Sequence, residues 1–150
     1  MPANTTLYSR ARYFYEMATY EKEAHEDRLK KDPNLRLTIG YAVGQALEMT
    51  MKQLLDDLTG SHEKIHNLGE LLVTLEKKLN GKVPCRLSLV STSRLKNIIG
   101  QILPNGRKYS NLAYGARYIS DLKFSVNELE ELFDLTEKVL LFYGSVEDEL

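Results

Sequence analysis

The chain of 150 residues has one cysteine, Cys85, so no internal disulfide can form and no cysteine-rich metal site is available. No apolar run approaches the roughly 18 residues that a membrane-spanning helix needs. The opening stretch, MPANTTLYSRARYF, has no apolar segment of the signal-peptide kind. A cytoplasmic setting is the expectation. The chain also lacks a phosphate-binding glycine loop, an H-E-x-x-H pair, a C-x-x-C pair and a nucleophile elbow. That excludes the common signatures of nucleotide hydrolysis, zinc proteolysis and serine hydrolysis. No alternating strand run, internal repeat, low-complexity tract or linker is visible, so one all-α domain over 1–150 is expected.

What the chain does have is helical periodicity, centred on Ile39 to Leu79. Ile39, Val43, Ala46, Leu47, Thr50, Leu54 and Leu58 recur at helical spacing, and Gly40, Gly44, Leu47, Met51 and Leu55 form a second stripe beside them. Gln45, Glu48, Lys52 and Asp56 leave a single polar line, in which Glu48 and Lys52 have the spacing of an ion pair. A helix apolar on most sides must touch several neighbours, which puts it at the centre of a bundle. Asp32-Pro33 has the form of an N-cap and first helical residue, and Gly60 of a stop. Leu68, Leu71, Leu72, Leu75 and Leu79 then form one clean stripe, started by Asn67 and closed by Asn80-Gly81.

On either side of this centre the pattern is less uniform. A first helix from Thr6 to Lys31 is expected, with Leu7, Ala11, Phe14 and Ala18 as one apolar stripe and Tyr13, Met17, Tyr20 and Ala24 beside it. After Gly81 the segment RLSLVSTS fits either a short helix or an extended stretch. Helical spacing returns from Ser93 with Leu95, Ile98, Ile99 and Ile102, and Pro104 with Asn105-Gly106 marks its end. Ser125 to Glu128 is a strict S-x-x-E capping box. The helix it opens carries Leu129, Leu132, Phe133, Thr136, Val139, Leu140 and Tyr143, and Gly144 should close it before a frayed acidic tail.

The net charge of -1 hides a strong asymmetry. From Lys82 to Lys123 eight basic residues face one acid, a net +7; from Phe124 to Leu150 eight acids face one base, a net -7. Such halves either neutralise each other or leave a face for a polyanion. Within the basic half, RKYSNLAYGARYISDLKF interleaves arginine and tyrosine. Arg107, Lys108, Tyr114, Arg117 and Tyr118 are therefore the candidate ligand-binding residues, because the guanidinium fork matches phosphate and tyrosine faces can stack on bases. Packing with a wet hydroxyl is the plainer role for the tyrosines, and an ion pair with Glu130 or Glu131 the plainer role for Arg117. His66, just before the Asn67 cap, is either an ordinary helix-entry residue or a ligand contact. His62 and His66 stand four apart, but the polar turn between helices makes them poor metal ligands, so neither a metal nor a cofactor is expected.

Tyr41 to Leu55 (YAVGQALEMTMKQLL), then His66-Asn67-Leu68 with Leu71 and Leu72, and later Tyr114 with Arg117-Tyr118 resemble the HEPN superfamily of small helical bundles. The family has a similar A-x-x-x-ALE-x-x-x-K-x-LL helix, an H-[DN]-L helix start and an RY near its fourth helix. The resemblance implies an up-and-down bundle of four to five helices that often dimerises. It also implies one of three roles: a metal-independent ribonuclease of the toxin or antiviral kind, a companion of a small nucleotidyltransferase, or a non-catalytic binding module. The ribonucleases use an R-x4-6-H motif. Here the positions that follow Arg117 at that spacing hold Leu122, Lys123 and Phe124, and no other arginine has a histidine at the required distance. The leading expectation is thus a dimeric, non-catalytic module that recognises nucleotide, RNA or a nucleotidyltransferase partner. The alternative is a ribonuclease whose site is assembled in space from Arg117 and His66 or His62.

Overall fold

The computed structural model describes residues 5–60, 67–81, 86–106, 109 and 124–150. These residues form an up-and-down helical bundle: α1 (Thr6–Ala24), the short α2 (Glu26–Leu29), α3 (Pro33–Thr59), α4 (Leu68–Asn80), α5 (Leu89–Gly106) and α6 (Val126–Val146), followed by a 3-10 turn at Glu147–Glu149. There is no strand among the described residues. No described helix is long and apolar enough to cross a membrane.

The long α3 is the hub. It packs on α1, α2, α4 and α6, while α5 closes the bundle against α4 and α6. Both of its apolar stripes are buried, from Ile39 and Gly40 through Leu47 and Met51 to Leu58. Its ends are fixed as its sequence dictates. The Asp32 carboxylate accepts the amides of Asn34 and Leu35, Pro33 occupies the first turn, and Gly60 closes the helix at φ 85. These amides also hold the Asp32 carboxyl below its ordinary pKa, with Arg28 adding to the effect. In α4 the Asn67 side chain accepts the Glu70 amide and the leucine stripe is fully inside.

Several expectations need correction. The first helix does not run unbroken to Lys31: it stops at Ala24, and His25 separates it from α2. Its inner face carries Tyr8, Ala11 and Ala18, while Tyr13, Met17 and Tyr20 point to solvent. The two alanines let α1 lie close to α3, and the rings of Tyr8 and Tyr15 are taken up by Tyr143 and Phe133 of α6. Next, α5 begins at Leu89 rather than Ser93 and passes through Pro104. The carbonyl that Pro104 leaves without its helical donor belongs to Gly100, an exposed residue that water can serve, so the proline is tolerated in the last turn.

Finally, Gly144 does not end α6, which continues to Val146. The chain end is not a free tail. Glu149 reaches the start of α5, where its Oε1 accepts the Ser88 amide at 2.7 Å and its Oε2 accepts the Ser91 hydroxyl at 2.6 Å. Ser88 Oγ accepts the Ser91 amide in the manner of an N-cap. A carboxylate at a helix start is favoured by both the unpaired amides and the helix dipole.

Candidate functional site

The basic, tyrosine-bearing segment 110–123 is bracketed by two anchored residues. On one side Tyr109 is buried, and its hydroxyl donates to Glu131 Oε1 at 2.6 Å and to the Glu128 carbonyl at 3.2 Å. On the other side Phe124 is buried against α3 at Gly40. A methyl at Gly40 would stand 2.5 Å from the Phe124 ring, so only glycine permits this approach. The two rings meet edge to face, 6.1 Å apart. Arg36 completes the anchor: its Nε donates to the Phe124 carbonyl at 2.7 Å and its Nη1 to the Leu29 carbonyl at 2.6 Å. Ser125 and Glu128 then form the reciprocal capping box that starts α6. Tyr109 is held in its protonated, donating form, because burial and the Glu131 carboxylate both push its pKa up.

Two polar clusters lie on opposite sides of α3, as follows from its turn of about 100° per residue. On one side Glu48 and Lys52 form a buried i,i+4 ion pair at 3.4 Å. The sequence expectation of an ion pair holds here; Glu48 and Lys52 are buried, while Gln45 and Asp56 at the two ends of that polar line are half-buried. On the other side, Gln53 and Asp57 fall within the apolar stripe. The Tyr8 amide donates to Gln53 Oε1 at 3.1 Å, Gln53 Nε2 donates to Asp57 Oδ1 at 3.2 Å, and the Tyr143 hydroxyl donates to Asp57 Oδ2 at 2.5 Å. Burial raises the Asp57 pKa although both hydrogen bonds lower it, and burial with the Asp57 carboxylate raises that of Tyr143. This chain of polar groups joins α1, α3 and α6 and is buried. It suits a specific helix–helix lock better than turnover.

Sequence reasoning missed Gln53 and Asp57. The signal was present: both share the phase of Ile39, Val43, Ala46 and Thr50, where a surface residue does not belong. The expected site residues Arg107, Lys108, Tyr114, Arg117 and Tyr118 lie outside the described residues, as do His62 and His66. Of the acids weighed as partners for Arg117, Glu130 is exposed and Glu131 takes the Tyr109 hydroxyl. Among the described residues no group of three or more histidine, cysteine, aspartate or glutamate side chains could hold a metal ion.

A family model described as "HEPN domain" matches residues 5–146. No curated protein and no solved structure matches the chain.

Proposed function

Because the chain belongs to the HEPN domain family, we propose that it is a non-catalytic binding module that acts as a homodimer and recognises nucleotide, RNA or a nucleotidyltransferase partner. The observation that carries this reading is the bracketed segment. Tyr109 and Phe124 stand anchored on either side of a stretch that interleaves Tyr114, Arg117 and Tyr118 and ends on Lys123, with Arg107 and Lys108 just ahead of Tyr109. Arg117, together with Arg107 and Lys108, supplies phosphate contacts, and Tyr114 and Tyr118 supply stacking faces.

Cleavage of RNA without a metal needs a group to take the 2′-hydroxyl proton and groups to stabilise the phosphorane. The sequence places no histidine at 122–124 to act with Arg117. The described tyrosine hydroxyls at 109 and 143 are both pushed toward the protonated form and do not replace it. Binding without turnover is the consequence.

The test is incubation of the purified protein with mixed RNAs in a chelator, followed on one sample by electrophoresis and on another by a binding titration. Retention of intact RNA with measurable, salt-sensitive binding supports the module. Metal-independent cleavage that disappears in Arg117→Ala or His66→Ala overturns it in favour of a ribonuclease with a rearranged site.

A further inference from the structure

The inner face of α1 is fully used, but its outer face is not. Tyr13, Met17 and Tyr20 are 66%, 65% and 70% exposed. With Arg10 and Ala24 they recur at steps of three and four, the seam along which one helix packs on another. Two aromatic rings and a thioether spread over about two turns, or roughly 10 Å of helix, form a continuous apolar strip rather than scattered surface residues.

The charges of α1 say what covers the strip. From Thr6 to Tyr15 the helix holds Arg10 and Arg12 and no acid; from Glu16 to Ala24 it holds three acids, Glu16, Glu21 and Glu23, and one base, Lys22. Lys22 leans on the Phe133 ring at 4.7 Å and Arg12 on the Tyr8 ring at 5.8 Å, both toward the bundle. What flanks the outer strip is therefore Arg10 near one end and acids at the other. Such a strip repels a polyanion over half its length. It is complementary to itself when reversed.

We propose that the outer face of α1 is the surface on which a second copy of this chain docks, with the two α1 helices antiparallel. The proposal rests on the dimer reading above and adds the surface. Full overlap of two such helices turns about their midpoint, Tyr15. That register sets Tyr13 against Met17 of the second copy and Arg10 against Tyr20 and Glu21, with each contact repeated by the twofold axis. A parallel pair would instead set arginine on arginine and acid on acid. One helix face per subunit is a small interface, so dissociation in the micromolar range is expected.

Sedimentation velocity over a micromolar to near-millimolar series decides it, with far-UV circular dichroism confirming that each variant is folded. Substitution at these exposed positions leaves the core untouched. The parent should dimerise, and Met17→Glu should weaken the dimer at least about tenfold. Arg10→Glu alone and Glu21→Lys alone should each weaken self-association, because in an antiparallel pair each sets like charges together, whereas in a parallel pair each would only exchange one like-charge contact for another; an equimolar mixture of the two should recover it. A parent dimer unchanged by Met17→Glu overturns the surface and leaves the dimer reading standing. A parent that is monomeric throughout removes both. Single charge variants that dimerise as the parent does, or a mixture that fails to recover, overturn the antiparallel arrangement.

Discussion

The hydroxyl of Tyr143 on α6 donates to Asp57 Oδ2 on α3 at 2.5 Å, across 86 residues of sequence, and both residues are buried. The Gln53 amide shares the same carboxylate and also receives the Tyr8 amide, so three helices meet at one buried acid. Loss of Tyr143's hydroxyl leaves a buried acceptor half-served. Tyr143→Phe should cost about 1–3 kcal/mol at neutral pH. The effect has a defined pH dependence. Burial already raises the folded pKa of Asp57 above its ordinary 3.8, which makes its ionised form a cost to the fold at neutral pH. Removing a donor to the carboxylate raises that pKa further. The penalty of Tyr143→Phe is therefore full above the raised pKa, and it shrinks as pH falls through that value toward 3.8. Chemical denaturation of both proteins at pH 7 and pH 4.5 measures this. A difference in stability that is the same at both pH values would show that Asp57 does not carry the effect.

Gly40 and Phe124 form a matched pair. Gly40→Ala gains helix propensity of about 1 kcal/mol but drives a methyl to 2.5 Å from the ring that anchors the end of the basic segment. The net outcome expected is destabilisation of about 1–3 kcal/mol, the usual range for overpacking. Phe124→Ala should cost about 3–5 kcal/mol through the cavity it leaves. The double variant should be more stable than the sum of the two losses implies, because the added methyl then enters space the ring has vacated. Strict additivity in thermal and denaturant unfolding would count against the contact.

Glu149 ties the end of the chain to the start of α5. Hydrogen bonds from Ser91 and Ser88 hold its carboxyl below the ordinary glutamate pKa. A lowered folded pKa contributes stability that is present above the unfolded value and is lost as pH falls through the folded one. Glu149→Ala should accordingly speed amide exchange at Ser88 and Ser91 at neutral pH. In the parent the same acceleration should appear, relative to the intrinsic rate, as acid protonates the carboxyl. Protection at both amides that is indifferent to the substitution would show that the turn, not the side chain, orders this end.

How much of this was legible in the sequence depended on the range of the interaction. The hub helix, its Asp32 cap and Gly60 stop, the leucine face of α4 and the Ser125–Glu128 box are set within a few residues, and each could be read directly. On α1 the stripe of Leu7, Ala11, Phe14 and Ala18 held at Ala11 and Ala18, but the inner face extends to Tyr8 and Tyr15 rather than to Tyr13, Met17 and Tyr20, because tyrosine counts as apolar on either side. The choice is made by partners on α3 and α6, Gln53, Tyr143 and Phe133, which no local pattern reveals. The Glu149 latch has the same character, since its partners lie 58 and 61 residues away. Pro104 read as a terminator because interior proline is costly, yet in a last turn over an exposed Gly100 that cost falls. For the candidate ligand site, the sequence supplied the residues, Arg117 above all, and the structure supplies the anchors, Tyr109 and Phe124.

The account turns on Arg117 as a phosphate-binding rather than a catalytic or a merely bracing residue. The most direct measurement is the affinity of labelled RNA for the parent and for Arg117→Ala over a series of salt concentrations in a chelator, with the intactness of the RNA checked at each point. The account predicts intact RNA throughout, weaker binding by the variant with little change in its stability, and a shallower dependence of affinity on salt by about one released counterion. Equal affinity and equal salt dependence in a folded Arg117→Ala protein would contradict it.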